Sequence, residues 1–283
     1  MFPTFEILGY TIGSYGLLAA VGCILCGLLF CYLLKKRGLM IEDGILFILM
    51  ALAGVMVGGH LLYAITNLRL VPLFFKVTDF NQFVQLLALM FGGSVFYGGL
   101  FGGIVGGAIA GKILHLDIKL WADLMTPIIP LFHAIGRVGC FCAGCCYGIE
   151  SEFGFITYTN ESVTSINGVT RFPVQLLEAC GNIILSVVLF ILLSKRENSR
   201  KLKGNLIYIY LIAYGAMRFA DEFLRGDLIR GFVGFLSTSQ FISIISVVVS
   251  AILLYRSLSK INKEQSISVP DTASVSSDSE QPN

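Results

Sequence analysis

This sequence has few charged residues. Of its 283 residues, 13% are charged and 55% are hydrophobic, whereas about a quarter of the residues are charged in an ordinary soluble domain. The formal net charge is +2, and no basic tract with interleaved aromatic residues is present. The composition therefore excludes a protein that binds nucleic acid and indicates one whose partner is the lipid bilayer.

The N-terminus also lacks the basic region of a secretory signal peptide, so we expect the first apolar run to stay in the protein as a helix. Seven apolar runs are long enough to cross a hydrocarbon core of about 30 Å. Helices are expected, because every backbone polar group in lipid must be satisfied within its own segment. The predicted spans are residues 12–34, 44–66, 84–111, 120–141, 174–193, 205–224 and 237–256.

These runs predict an all-α polytopic membrane protein with about seven transmembrane helices over residues 1–263. Residues 149–172 contain an Asn-Gly pair at Asn167 and Gly168, which predicts a small β-rich cap between two spans. Residues 264–283 are rich in Ser, Asp, Glu, Gln and Pro, which predicts a disordered tail. Since no soluble catalytic domain is recognisable, any chemistry is expected in the membrane body and its cap.

The positions of lysine and arginine predict how the chain is oriented. Thirteen of the twenty basic residues fall on one side of a seven-span zigzag, and the positive-inside rule makes that side cytoplasmic. We therefore expect the N-terminus and the cap to face outward and the C-terminal tail to face the cytoplasm. The thirteen residues are Lys35, Lys36, Arg37, Lys112, Lys119, Lys195, Arg196, Arg200, Lys201, Lys203, Arg256, Lys260 and Lys263.

The segment His133–Gly148, HAIGRVGCFCAGCCYG, places an arginine inside an apolar span. A charge at the depth expected for Arg137 costs roughly 2.5–3.5 kcal/mol on insertion scales, so such a residue is by default a candidate for function. His133 stands one helical turn before Arg137. It is more typical of a hydrogen-bonded helix histidine than of a metal ligand.

Four cysteines follow Arg137 closely: Cys140, Cys142, Cys145 and Cys146. Their C-x-C-x-x-C-C spacing is not a standard zinc pattern, and no later CxxC or HxxxH pair completes one. Packing or loop shaping, a disulfide near an oxidising face, a reactive thiol and a metal site all remain open for them. The expectation from the sequence is that the protein uses no metal and no cofactor.

The sixth run ends in a polar helical face. Its members are spaced at i, i+4, i+8 and i+11, so they share one side of a helix. Arg218 and Glu222 are spaced for a structural ion pair, but several charges and a tyrosine on one face of a membrane helix favour a polar cavity. Two arginines there suit a phosphate, because the guanidinium fork matches its oxygens. The four residues of this face are Tyr214, Arg218, Glu222 and Arg225.

The third run holds nine glycines within residues 92–111. Three of its glycine pairs repeat every four residues, which is the spacing that lets two membrane helices approach closely. Ser94 and Tyr97 lie among the first glycines, where a helix break beside a substrate is equally consistent with the pattern. The repeating pairs are Gly98-Gly99, Gly102-Gly103 and Gly106-Gly107.

The fifth run opens with the sequence RFPVQLLEA, in which Arg171, Gln175 and Glu178 lie about one helical turn apart. Pro173 suits the first turn of a helix. Anchoring of the helix end and a contribution to a polar site are both consistent with this pattern.

Taken together, these motifs resemble the prolipoprotein diacylglyceryl transferase family from about Gly13 to Tyr255. No single motif is specific for the family, but the order and spacing of the motifs over seven spans are specific for it. The resemblance implies a multi-pass protein of the bacterial plasma membrane. The matching motifs are SYGLL (Ser14–Leu18), SVFYGGLFG (Ser94–Gly102), DLMTPIIPLFHAIGRVGCF (Asp123–Phe141), RFPVQLLE (Arg171–Glu178), YGAMRFADEFLR (Tyr214–Arg225) and SQFISI (Ser239–Ile244).

The resemblance implies transfer of a diacylglyceryl group from phosphatidylglycerol to the lipobox cysteine in the signal peptide of a prolipoprotein. The products would be a thioether and glycerol phosphate, and no cofactor is implied. Arg137 and Arg218 would bind and polarise the lipid phosphate, with Tyr97 where the family has its base. The residues implied to support substrate binding are Tyr15, Gly98, Gly99, Tyr214, Glu222 and Arg225.

This sequence departs from the family pattern in two places. Tyr97 stands where the family usually has a histidine, and a phenol with a pKa of about 10 is a weaker base unless arginines depress that pKa. After Arg137, the family usually has two asparagines and a glutamate. Those positions are occupied here by Cys140, Ala143 and Cys145.

Two other functions would explain part of the pattern. A membrane thiol-redox protein would use the cysteines of residues 140–146 but would leave Arg218, Tyr214 and Glu222 unexplained. An anion or lipid-phosphate transporter would use arginines and glycine-broken helices. It would usually show an internal repeat, and this sequence has no evident one. The transferase is therefore the expected function.

Overall fold

The computed structural model describes residues 4–7, 10–154, 156–157, 167–226 and 232–267. Within these residues the chain is mainly helical. The helices are α1 Ser14–Lys36, α2 Ile41–Thr66, α3 Val71–Phe74, α4 Phe80–Phe91, α5 Phe96–Ile113, α6 Ile118–Met125, α7 Ile128–Ala143, α8 Val174–Lys195, α9 Leu206–Asp221 and α10 Thr238–Ile267. Three short antiparallel pairs join β1 Thr4–Ile7 to β2 Tyr10–Gly13, β3 Ile156–Thr157 to β4 Thr170–Arg171, and β5 Phe232–Val233 to β6 Leu236–Ser237.

Six helical segments are long and apolar enough to span a membrane: α1, α2, α5, the pair α6–α7, α8 and α10. The predicted all-α polytopic membrane fold is confirmed. The helix at the predicted sixth run, α9, has 16 residues, or about 24 Å at 1.5 Å per residue. It is not among the six because it is shorter than the roughly 17–25 residues that a transmembrane helix needs. Arg218 and Asp221 lie in its last turn.

The third predicted run is divided into two helices. α4 ends at Phe91 and α5 begins at Phe96. The backbone between them is held by α2: His60 Nδ1 donates to the carbonyl oxygens of Phe91 and Gly93, both at 2.8 Å. Of the two alternatives for the early glycines, a helix break is therefore the one observed at residues 92–95.

The later glycines pack α5 against α2. A Cβ atom on Gly102 would lie 2.1 Å from the carbonyl oxygen of Gly54, and one on Gly98 would lie 2.4 Å from that of Gly58. Real Cβ atoms do not approach a carbonyl oxygen so closely, so only glycine fits. The four-residue spacing thus places two helical backbones in direct contact, as small residues do in membrane helix pairs.

The ends of four helices are tied together where lysine and arginine are concentrated. Arg196, directly after α8, forms a buried ion pair with Asp123 of α6, with Nε 2.6 Å from Oδ2. The same carboxylate accepts hydrogen bonds from the backbone N–H groups of Gly204 and Leu206, which fixes the start of α9. At the end of α1, Arg37 pairs with Glu197. This end of the bundle is called the basic end below.

At the opposite end, three backbone segments form a small ladder, residues 147–151, 170–172 and 224–226. The N–H of Ile149 donates to the carbonyl oxygen of Leu224, and the N–H of Phe172 donates to that of Ile149, both at 3.0 Å. Asn167 and Gly168 form the predicted turn, with a φ of +79° at Gly168. Residues 158–166 of the predicted cap lie outside the described part of the chain.

The last helix is longer than the sequence indicates. α10 continues to Ile267, so the first four residues of the segment predicted as a disordered tail are helical. The remainder of that segment, residues 268–283, lies outside the described residues.

Candidate functional site

Glu178 joins two arginines from different parts of the chain. Nε of Arg137, on α7, forms an ion pair with Oε2 of Glu178, on α8. Nη1 of Arg225, in the ladder beyond α9, lies 3.6 Å from Oε1 of the same carboxylate. The Glu178 side chain is 2% exposed, and those of Arg137 and Arg225 are 10% and 6% exposed. Removing Glu178 would take away the carboxylate that both buried arginines contact, so the positions of Arg137 and Arg225 depend on it.

A second buried pair lies on α9 and the turn that follows it. Nη1 of Arg218 is 2.7 Å from Oε2 of Glu222, four residues later. Nη2 of Arg218 donates to Oγ of Ser239 on α10 at 3.2 Å. The predicted ion pair is therefore present, and it also connects α9 to α10. The name arginine site is used below for Arg137, Glu178, Arg218, Glu222 and Arg225.

His133 is close enough to the guanidinium groups of Arg137, Arg218 and Arg225 for their charges to act on its ring. The ring stacks on Phe96 of α5 with centroids 4.2 Å apart, and its centroid is 5.4 Å from that of Tyr214. Aromatic side chains thus form an apolar wall beside buried positive charge.

Tyr97 is linked to the arginine site through α10. Its hydroxyl lies 2.5 Å from Oγ of Ser243, and that Oγ donates to the carbonyl oxygen of Ser239 at 2.7 Å. Because the serine proton is engaged with Ser239, the phenol of Tyr97 donates to Ser243. Ser239 is also the residue whose hydroxyl accepts from Arg218. Tyr97, 3% exposed, is therefore held in a fixed position relative to Arg218.

Two of the four remaining candidates lie beside this site. Tyr214 is 1% exposed and packs against Tyr97, with ring centroids 6.0 Å apart. Tyr15 is 51% exposed, and its ring lies against Gly139, the residue directly before Cys140. In contrast, the atoms nearest to Gly98 and Gly99 belong to α2. The structure therefore brings the two tyrosines to the site, whereas both glycines contact the neighbouring helix.

Three of the four clustered cysteines converge beside Arg137. The Sγ atoms of Cys140, Cys145 and Cys146 all lie within 4.8 Å of one another; they are called the thiol trio below. Nη1 of Arg137 lies 4.0 Å from Sγ of Cys140. Hydrogen bonds from the other two thiols lower the pKa of Cys146, and the charges of Arg225 and Arg137 add to this effect. One thiol of the trio is therefore the first to ionise.

A tight turn after α7 produces this convergence. Gly144 has a φ of +71° and Cys146 a φ of +58°; the left-handed region disfavours a cysteine by roughly 1–2 kcal/mol. Nε2 of Gln175, on α8, donates to the carbonyl oxygen of Cys145 at 2.8 Å. The backbone is thereby turned back so that Cys145 and Cys146 return toward the end of α7.

Arg171 has a different role from the arginines of the site. Its Nη2 is 3.0 Å from Oε1 of Glu150, its Nη1 donates to the carbonyl oxygen of Gly148 at 3.3 Å, and its guanidinium lies 4.8 Å from the ring centroid of Tyr147. All three contacts lie in the ladder. Arg171 therefore braces the backbone that carries Arg225.

Several members of the site were not predicted as functional. Glu178 was equally consistent with a helix anchor, and its isolated position in an apolar run was the available signal. Ser239 and Ser243 gave no signal beyond their place in the SQFISI motif, because their partners lie on distant helices. Their contacts become visible only in the folded chain.

Similarity to known proteins extends over nearly the whole chain. A family model described as prolipoprotein diacylglyceryl transferase matches residues 3–256. A phosphatidylglycerol–prolipoprotein diacylglyceryl transferase of Clostridium tetani is 32% identical over 87% of this chain and 93% of its own length. A second protein of that name, from Clostridium perfringens, is 38% identical over 88% of this chain and 92% of its own length. The chain belongs to the prolipoprotein diacylglyceryl transferase family.

Proposed function

We propose that this protein transfers a diacylglyceryl group from phosphatidylglycerol to a cysteine thiol of a prolipoprotein, forming a thioether and releasing glycerol phosphate. The observation that carries the proposal is that Arg137 and Arg218, each paired with a buried carboxylate, both act electrostatically on His133, whose ring packs against Phe96 and Tyr214. The relatives from both Clostridium species carry the name of this activity. The acceptor is the lipobox cysteine of the signal peptide.

Arg137 and Arg218 bind the lipid phosphate and stabilise the negative charge that grows on it as the carbon–oxygen bond breaks. A fixed cation at the place where charge develops is usually the largest contribution to catalysis of such a step. Glu178 and Glu222 keep the two guanidinium groups in place before substrate arrives. The two guanidinium groups therefore need to move little during the reaction.

Tyr97 is the candidate base or positioning group for the acceptor thiol. Its phenol is held by Ser243, and Tyr214 packs beside it. Tyr15 is half-exposed in the first turn of α1 and borders the route by which substrates enter from the bilayer. Arg225 contributes positive charge from the ladder, while Gly98 and Gly99 let α5 lie close enough to α2 for Tyr97 to be buried.

We also propose that the basic end faces the cytoplasm and that the arginine site faces the outer leaflet. The ion pairs of Arg196 and Arg37 gather the lysine- and arginine-rich helix ends on one side, as the positive-inside rule requires of a cytoplasmic side. With α9 counted as a crossing, the N-terminus lies outside and the C-terminus in the cytoplasm. The protein is then one membrane body, residues 1–263, with an outward cap at 149–172 and a cytoplasmic tail.

The direct test uses the purified full-length chain in phosphatidylglycerol vesicles with a synthetic lipobox peptide. Mass spectrometry should detect a peptide whose mass has increased by one diacylglyceryl group, together with glycerol phosphate in equal amount. Vesicles of phosphatidylcholine and a peptide with serine in place of the lipobox cysteine are the controls. Absence of the thioether, with folded protein and both substrates present, would falsify the proposal.

A further inference from the structure

The thiol trio is a second chemically distinctive cluster beside the arginine site. Its three Sγ atoms lie within 4.8 Å of one another. A tetrahedral zinc site with Zn–S bonds of about 2.3 Å separates its sulfurs by roughly 3.8 Å. Small side-chain movements would therefore be enough to place all three sulfurs around one ion.

We propose that Cys140, Cys145 and Cys146 hold a thiophilic divalent metal ion such as Zn(II), and that its open fourth position receives the acceptor thiol. Zinc sites that carry out chemistry commonly have three protein ligands and one position for water or substrate. The second half of this inference rests on the proposed transferase function. The first half is independent of it.

The trio has a cationic side chain beside it and soft donor atoms within it. Nη1 of Arg137 lies 4.0 Å from Sγ of Cys140. Three soft sulfur donors select zinc or copper(I) over magnesium and calcium, which prefer oxygen. The donor set therefore identifies the chemical class of the ion.

The backbone holds the ligands in this arrangement. Gln175 donates to the carbonyl oxygen of Cys145, and the N–H of Cys145 donates to the carbonyl oxygen of Cys140 at 3.1 Å. Two left-handed residues, Gly144 and Cys146, turn the chain back toward α7. Strained backbone positions of this kind cluster at functional sites, where the surroundings enforce them.

The position of the trio suits the chemistry. Sγ of Cys140 is 4.0 Å from Nη1 of Arg137, so a thiol bound to the ion would lie next to the phosphate held by Arg137. On binding, the acceptor thiol loses its proton to solvent and becomes a metal-bound thiolate. Its sulfur then forms a bond to the glycerol carbon, the carbon–oxygen bond to phosphate breaks, and the electron pair leaves with glycerol phosphate. The oxidation state of the metal does not change.

This inference departs from the expectation that the protein uses no metal. The spacing C-x-C-x-x-C-C gave no standard pattern because the third and fourth cysteines reach the first through a turn. Cys142, two residues after Cys140 on the same helix, is not part of the group. It therefore provides a matched control within the same segment.

The first experiment measures binding without any substrate. Detergent-solubilised full-length protein, purified under reducing conditions and stripped with a chelator, is titrated with Co(II) and then with Zn(II). We expect one ion per chain, a thiolate-to-Co(II) charge-transfer band, and displacement of Co(II) by Zn(II) but not by Mg(II). Cys145→Ser and Cys146→Ser should each weaken affinity by more than about 10²-fold, since even outer-shell partners of metal ligands are worth 10–100-fold. Cys142→Ser should bind as wild type does.

The second experiment measures thioether formation after metal removal. A free thiol with a pKa of about 8.5 is only about 3% ionised at pH 7, so loss of the metal should lower turnover by up to roughly 30-fold there. At pH 9 most of the acceptor is already thiolate, and the loss should shrink to less than about twofold. Zn(II) should restore the pH 7 rate in wild type and Cys142→Ser, but not in Cys145→Ser.

The results separate this inference from the proposed function. Full transferase activity in metal-free protein, unchanged in Cys145→Ser, would overturn the role of the metal and leave the transferase intact. Equal Co(II) affinity in wild type and Cys145→Ser, or a disulfide within the trio in the active protein, would overturn the site itself. Metal binding by the trio with no thioether formed under any condition would instead refute the transferase.

Discussion

Replacing Arg137 by lysine tests whether the geometry of the guanidinium, and not only its charge, acts on the phosphate. Glu178 contacts Nε of Arg137, and Nη1 lies 4.0 Å from Sγ of Cys140, so the Nη groups can still donate to a ligand. A lysine has one nitrogen, and the buried Glu178 carboxylate would pair with it. The substrate phosphate would then lose the bidentate donors that only arginine provides.

Arg137→Lys should lower the rate of thioether formation and should leave the stability of the fold nearly unchanged. Loss of one preorganised electrostatic donor costs about 2.7–4 kcal/mol, or roughly 10²–10³ in rate. Because Glu178 stays paired in Arg137→Lys, the free energy of unfolding should change much less than in Arg137→Ala, where a buried carboxylate loses a partner. The assay is kcat for thioether formation with saturating phosphatidylglycerol and peptide, normalised to monodisperse protein after size-exclusion chromatography.

Arg196→Lys is the matched control. Arg196 is also buried and also directs Nε to a carboxylate, that of Asp123, but it lies at the basic end. Because the lysine can remain paired with Asp123, Arg196→Lys should change the free energy of unfolding about as little as Arg137→Lys does, and it should keep wild-type turnover per folded molecule. If Arg137→Lys retained kcat within twofold of wild type while Arg196→Lys behaved as described, the assignment of Arg137 to the phosphate would be wrong.

Three other predictions follow from the same structure. Tyr97→Phe should lower kcat by about 10²-fold, the lower range for general acid–base catalysis, whereas Tyr97→His should remain active. Equal kcat in wild type and Tyr97→Phe would exclude a chemical role for the hydroxyl. Gly102→Leu should separate α2 from α5, because a Cβ there would lie 2.1 Å from a carbonyl oxygen, and should lower the thermal midpoint. Gly136→Ala, which meets nothing within 4 Å, should leave that midpoint unchanged. An epitope tag inserted after Asn167 should be accessible to antibody in intact protoplasts, whereas a tag at the C-terminus should become accessible only after lysis. The opposite pattern would show that the proposed membrane orientation is reversed.

Local features of the chain could be predicted well from the sequence. The apolar runs gave the positions of the long helices, because lipid forces each run to satisfy its own backbone. The Arg218–Glu222 pair followed from a spacing of four residues on one helix. The glycine repeat predicted a close helix contact, although only the fold identifies α2 as the partner.

Contacts between distant segments could not be predicted in this way. The partner of Arg137 is a carboxylate 41 residues later in the chain, and the partner of Tyr97 is a serine 146 residues later. No periodicity links such positions, because the packing of whole helices brings them together. The thiol trio was missed for a related reason: its geometry depends on positive φ angles at Gly144 and Cys146, which the spacing of cysteines does not encode.

Arg137 and Arg218 differ in how many of their guanidinium nitrogens bind other side chains of the protein. Arg218 commits Nη1 to Glu222 and Nη2 to Ser239, so it fixes α10 against α9 and, through Ser239 and Ser243, the phenol of Tyr97. Arg137 is held mainly through Nε. A buried arginine costs so much in a membrane that each needs a carboxylate, yet a fully satisfied arginine has little left for a substrate. In the proposed reaction, this division would make Arg218 a charge that also positions the reacting groups, and Arg137 the principal donor to the departing phosphate.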